Sequence, residues 1–304
     1  MSVKAIEKRK PGHVYEGRGE WLFQVILVTI MVLLSITFLY PYWHVLVTSL
    51  TSPEVAENSG FRLWPQTFSF DAYTQMFYSK ALWTGYKNTL IVVAMGWAVS
   101  ISLNVLGAYA LSKKDLPVRS VFTAIIVLTM FLQGGMIPTY LTVTRTLGMK
   151  NTYWAVILPQ CVSVSHLVIM RNYFMNLPSE LEEAAIIDGA NSFHVLIRVM
   201  LPLSMPMIAT ISLWVIVSNW NAYFNCLLYI TDSSKYVLQI VIRRIIQTDS
   251  KEMTYAGAIE DQLNTDTYTL RAASIMLSTL PIICVYPFLQ KYFVKGVLIG
   301  SLKG

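Results

Sequence analysis

Charge is what this sequence has least of. Only 13% of its 304 residues are Asp, Glu, Lys or Arg, where an ordinary soluble domain carries roughly a quarter. With 55% hydrophobic residues, this is the composition of a membrane protein. Cysteine is scarce as well: Cys161, Cys226 and Cys284 all fall in apolar runs. They are expected to be small buried residues without a disulfide. The four histidines are dispersed, and no metal-ligand spacing exists. A G-x-x-x-x-G-K-[ST] phosphate loop is absent, which excludes nucleotide binding by that route. The net charge of +6 comes without a basic stripe interleaved with aromatics, so no nucleic-acid partner is expected.

The few charges leave six long gaps, at 21–53, 88–112, 120–144, 151–170, 199–231 and 272–290. Each is long enough to cross about 30 Å of hydrocarbon at 1.5 Å per residue. Backbone polar groups in lipid must pair internally, and the runs are too long and too uniform for barrel strands. The expectation is an all-α, polytopic membrane protein with six transmembrane helices. The first run exceeds the core of a cleaved signal and ends in bulky residues, Tyr40–Trp43, so it reads as a retained helix. Six spans put both termini on one side. Placing that side in the cytoplasm gives it thirteen of the 23 cations, and the short loop Ser112–Ser120, with three cations and one acid, votes the same way. The resulting layout is a cytoplasmic tail over 1–20, a first transmembrane helix over 21–48 and an extracytoplasmic loop over 49–83.

None of the six runs contains Asp, Glu, Lys or Arg. Ion-coupled carriers keep such groups in the bilayer for the ion pathway; here His44 and His166 are the main titratable candidates, read as structural or interfacial. The energy source is expected elsewhere. Uncharged polar residues remain: Asn219, Trp220, Asn221, Tyr223 and Asn225 in the fifth run, and Gln133, Gly134, Gly135, Pro138 and Tyr140 in the third. Amides in a bundle either hydrogen-bond between helices or line a pathway for a hydroxyl-rich ligand. Both readings stand.

One polar stretch, Leu177–Pro206, lies between apolar runs. Ser179 with Glu182 three residues on has the spacing of a capping box, and Glu180, Glu182 and Glu183 suit the positive end of a short helix through Ile187 or Asp188. Gly189 is placed to end it. Asn191 or Ser192 can cap a second helix over Phe193–Leu201, with Pro202 and Pro206 marking entry to the fifth span. Two helices hinged at a glycine and rigidly continuous with a span form a lever. An amphipathic connector lying on the membrane would be basic, whereas this one is acidic at its start, so a protein-docking loop is expected.

Glu183, Ala184, Ala185, Gly189, Leu201 and Pro202 resemble the cytoplasmic E-A-A-x(3)-G-x(9)-I-x-L-P loop of binding-protein-dependent ABC importer permeases, with Val199 in the isoleucine position. The string EEAAIIDGA is similar to the carbohydrate branch of that family, as is the end Gln290–Gly296 with Gly300, Lys303 and Gly304. Leu39-Tyr40-Pro41 and Trp220-Asn221 are weaker marks. The resemblance implies the type I ABC importer transmembrane (MetI-like) fold, with a core over 84–293, a coupling loop over 177–203 and a cytoplasmic tail over 294–304. It further implies a permease subunit, not an enzyme, in a bacterial plasma membrane with both termini cytoplasmic. Its partners would be a second homologous permease, a dimeric ABC ATPase and an extracytoplasmic solute-binding protein. This chain would bind no cofactor itself; ATP and Mg²⁺ would sit on the ATPase.

Site roles follow the same resemblance. Glu182, Glu183, Ala184, Ala185, Asp188, Gly189, Leu201 and Pro202 are implied for ATPase coupling, and Gly300, Lys303 and Gly304 for a second ATPase contact. Gln133, Tyr140, Asn219, Trp220, Asn221 and Tyr223 are the pathway candidates. The implied cargo is a sugar or oligosaccharide; a non-sugar solute, or an ATPase-independent channel or carrier, are the alternatives. Outside the spans, Lys235–Ser250 alternates apolar and basic residues. Its apolar face is expected to rest on the bundle or on headgroups, ahead of docking to a binding protein.

Overall fold

The computed structural model describes the backbone of residues 18–56, 60, 63–132, 134–247 and 267–301. The first long helix, α1 (Arg18–Ser49), covers 32 residues, about 48 Å at the helical rise. Two short helices follow, α2 (Pro53–Ala56) and α3 (Asp71–Tyr78), with one isolated antiparallel bridge between Thr51 and Phe68. The next helix, α4 (Lys80–Ser112), starts where the Ser79 hydroxyl accepts from the Leu82 amide. It therefore begins eight residues before the charge-free gap, carrying Lys80 and Lys87 in its first turns.

Three broken elements come next. Helix α5 (Arg119–Phe131) stops before Gly134 and Gly135, and α6 (Met136–Leu141) runs on into a π-helical turn, Thr142–Thr146. Gly135 stands at φ +82°, a conformation that residues with a Cβ rarely adopt. Helix α7 (Tyr153–Ile157) tightens into a 3₁₀ turn containing Pro159 and gives way to α8 (Val164–Met175), the two bent by 53°. The Ser163 hydroxyl re-caps the chain by accepting from His166 N. Helices α9 (Ser179–Ile187), α10 (Ser192–Val195) and α11 (Leu201–Leu203) precede α12 (Met205–Trp220), α13 (Tyr223–Tyr229), α14 (Leu238–Gln247) and α15 (Thr267–Ser301).

Among the described residues three helices are continuous and apolar enough to cross a membrane, Gly19–Ser49, Lys80–Ser112 and Tyr268–Val285, and the three bent pairs bring the number of spans up to six. The fold is all-α and polytopic, as the charge gaps imply. The rigid continuity of the lever with the fifth span is corrected: Ser192–Leu203 meets Met205–Trp220 at 84°. Ser204 leaves the helical region there (φ −98°, ψ 7°), and Pro206 lies in the first turn of α12. Lacking an N–H, Pro206 fits a helix start and cannot continue a helix from the preceding turn.

Helix α4 is the hub, packing against α8, α12 and α14. Near its C-terminus Val105, Ala108 and Leu111 meet Leu167, Met170 and Phe174 of α8, Val195 and Leu196, and Ile211 and Val215 of α12. Toward its N-terminus Val92 packs with Val156, Ile157, Cys226 and Val237. By contrast α1 packs chiefly on α15, and its side chains from Trp21 to Leu39 are exposed. Hydrocarbon tails solvate such a surface as well as another helix would. The cysteines are all free, but only Cys226 is buried; Cys161 is partly covered and Cys284 exposed. A cysteine facing lipid incurs no desolvation cost, so the uniform burial expected of the three does not hold.

Candidate functional site

The lever begins at α9, and its N-terminus departs from the capping box. Pro178 occupies the cap position, no side chain caps the helix, and Ser179 is already its first residue. Glu182 does not turn back to a cap amide. It forms an ion pair with Lys113, just past the end of α4, and the Tyr109 hydroxyl donates to the same carboxylate oxygen across a long 3.5 Å. A charged donor outcompetes a neutral amide for a carboxylate, which is why the local rule fails. The Lys113 ammonium also lies 4.0 Å from the Tyr109 ring centroid, and that ring meets Phe174 edge-on at 6.0 Å. Burial pushes the Lys113 pKa below its ordinary value, while neighbouring Asp115 pulls it up.

The other end of α9 follows the sequence closely. Gly189 sits at φ +84°; its amide donates to Ile186 O at 2.9 Å and that of Ala190 to Ala185 O at 2.9 Å. This paired closure is a Schellman motif, built on the left-handed residue that glycine supplies. Of the two candidate caps for the next helix it is Asn191, whose Oδ1 accepts from His194 N at 2.9 Å. That helix starts at Ser192 and continues through a π-helical turn, Leu196–Met200, to Leu203.

The coupling candidates divide by face. Glu183, Ala184, Asp188, Gly189 and Pro202 are exposed. Ala185 and Leu201 pack on the cluster around α4 and α8, and Glu182 is turned to Lys113. Among the outward residues lie Ile186, Ile187 and Phe193, with Ile187 86% and Phe193 60% exposed. None of the three is among the contacts expected from the sequence, where the available signal is large apolar residues flanking a glycine turn. An exposed apolar patch rimmed by acids marks an interaction surface. Gly300 lies on the backbone of α15; Lys303 and Gly304 are outside the described residues.

The pathway candidates lie toward the opposite end of the bundle. Asn219 is buried, its Nδ2 donating to Val215 O at 2.9 Å and its Oδ1 accepting from Gln160 at 3.4 Å. Trp220 is buried too, its indole N–H directed to Ser278 O at 3.3 Å and its ring edge-on to Tyr86. Asn221 is exposed and, with Trp43, Gln239 and Thr279, lines a cleft of about 670 Å³ between α1, α14 and α15. Tyr223 lies under Arg243, whose guanidinium carbon is 4.4 Å from the ring centroid. Tyr140 stacks on Tyr229 at 5.9 Å, and Gln133 is outside the described residues. Helix α14 rests on the bundle, as expected, with Leu238, Ile240, Ile242 and Ile245 buried.

Two residues that the sequence reading passed over hold α14 there. Asn88 donates to Ser234 O and Tyr236 O, each at 2.9 Å, and accepts from the Tyr153 hydroxyl at 2.8 Å. Thr89 Oγ1 accepts from Leu238 N at 2.8 Å. Both open the second charge-free run directly after Lys87, and their polarity in an apolar run was the signal.

Comparison with known proteins agrees with this architecture. Residues 104–299 match the family described as binding-protein-dependent transport system inner membrane component. The polygalacturonan/rhamnogalacturonan transport system permease protein YtcP of Bacillus subtilis is 39% identical over 289 residues, covering 93% of this chain and 99% of that protein. Protein LplC of the same organism is 40% identical over 271 residues, 89% of this chain and 90% of that one. Among solved structures, a chain of a bacterial ABC transporter involved in the import of the acidic polysaccharide alginate superposes with a TM-score of 0.83 at 32% identity, over 91% of this chain and 98% of that one.

Proposed function

The chain belongs to the binding-protein-dependent transport system inner membrane component family, and on that premise we propose that it forms half of the translocation pathway of an ATP-driven importer of oligosaccharides. A second, homologous permease supplies the other half. A separate dimeric ATPase holds ATP and Mg²⁺ and hydrolyses it, and an extracytoplasmic binding protein delivers the sugar. Both termini and the 177–203 loop face the cytoplasm. The observation that carries the reading is the surface of α9, its glycine turn and the start of the next helix: Glu183, Ala184, Ile187, Asp188, Gly189 and Phe193 are all exposed, and the helix after the turn, Ser192–Leu203, meets the span Met205–Trp220 at 84°.

In this account Glu183, Ala184 and Gly189 seat in a groove of the ATPase, and Gly300, Lys303 and Gly304 add a second contact. ATP-driven closure of that dimer favours one of two permease states, and the loop transmits the difference in contact energy. Asn221 and Tyr223 border the sugar pathway, with Asn219 and Trp220 behind them, and Gln133 and Tyr140 are its further candidates. One similar structure is titled for the import of the acidic polysaccharide alginate and one relative is named for polygalacturonan and rhamnogalacturonan transport, which favours a uronate-bearing cargo. Arg243 over Tyr223 offers the cation and the ring face that such a sugar needs.

Affinity purification of the tagged chain in mild detergent tests the class. An ATPase and a second permease are expected to co-purify, and a chain recovered alone from cells expressing its neighbours would contradict the assembly. The ligand held by a co-purifying binding protein identifies the cargo.

A further inference from the structure

We propose that Glu182 and Lys113 form an internal latch that fastens the coupling helix to α4, so that displacement of α9 is delivered to the hub of the bundle. The inference rests on the importer reading above and assigns Glu182 a positioning role within its own chain, distinct from contact with the ATPase.

Elsewhere α9 rests on its underside and on the helix that follows it. Ala185 packs on the α4–α8 cluster together with Ala190 and Leu177, and small apolar contacts of this kind resist sliding weakly because they are non-directional. The ion pair is directional and partly shielded: the two side chains retain 23% and 24% of their exposure. Tyr109 closes the group from one side, donating to Glu182 while its ring carries the Lys113 ammonium and leans on Phe174 of α8. Four side chains from three helices and the cap of α4 thus meet at one point. Arg171 of α8 adds a tie nearby, its Nε donating to Leu111 O at 3.0 Å, so α4 and α8 are locked together where the latch attaches. A push on α9 is then shared by both, whereas the chain connection runs through the glycine turn and the bend at Ser204.

The test uses the assembled importer with Glu182→Gln, Lys113→Met and the reversed pair Glu182→Lys with Lys113→Glu. Hydrogen exchange of the α9 amides reads the fastening itself. Each single variant should speed it about fivefold or more, and the reversed pair should recover about half of that loss or better. In proteoliposomes with trigalacturonate as probe, the singles should hydrolyse ATP at near the wild-type rate yet move several-fold less sugar per ATP. A role limited to stability would lower yield and both rates together, leaving that ratio unchanged. Unaltered α9 exchange in the singles, or a reversed pair no better than they are, would overturn the latch. A wild-type complex that retains no ATPase would instead overturn the importer reading, and the exchange measurement would still decide the latch.

Discussion

Gly96 and Asn219 illustrate what single residues do here. A Cβ built on Gly96 would stand 2.5 Å from Asn219 Oδ1, so α4 and α12 approach as closely as they do only because that position has no side chain. Asn219 cannot easily yield, being bonded to Val215 O and to Gln160. Gly96→Ala should therefore destabilise the protein by roughly 1–3 kcal/mol as overpacking, read as a lowered melting temperature in detergent, and Asn219→Ala in the same chain should relieve much of it. An unchanged melting temperature for Gly96→Ala would contradict the close contact. Residues whose role is set by the backbone were legible in the sequence: Gly189 and Asn191 do what a left-handed turn and a cap require. Glu182 was not, because its partner lies 69 positions away and local spacing says nothing of it.

Among elements, the long apolar runs declared themselves and their interruptions did so in part. Gly134, Gly135 and Pro138 announced the break between α5 and α6. The 84° elbow at Ser204 was not foreseen, since two prolines mark a helix start without stating the angle at which it leaves. Charge gaps also misplace helix ends: α4 extends back to Lys80 because long lysine side chains reach polar surroundings from within a helix. Helix α14 depends on one side chain more than its apolar face suggests. Replacing Asn88 by Ala leaves two carbonyls and a phenol, all in part-buried bonds, without their partner, at about 0.5–1.5 kcal/mol for each bond lost. Hydrogen exchange should rise across 234–247 and stay unchanged in α9; equal protection in both variant and wild type would show that apolar packing alone holds α14.

For the molecule as a whole, the two ends of α4 carry the two tasks of the proposed importer. Gly85, whose bare Cα faces Leu238, receives α14 together with Asn88 and Thr89 beside the candidate pathway, and Lys113 receives α9 some 42 Å away by the helical rise. What the sequence could not disclose is which acids face out and which face in: Glu182 and Glu183 are adjacent, yet one is paired with Lys113 and the other is exposed. That division depends on where α4 ends, a tertiary fact. In the proposed importer the hinge at Gly189 couples ATP hydrolysis to movement of solute. A valine there must adopt φ +84°, costing about 1–2 kcal/mol, and would deform the turn without touching either end of the bundle. The most direct measurement is ATP-driven uptake of trigalacturonate by proteoliposomes holding the full importer with Gly189→Val. ATP hydrolysis and assembly are expected to persist while uptake is lost; uptake at the wild-type rate would show that the hinge does not couple the two.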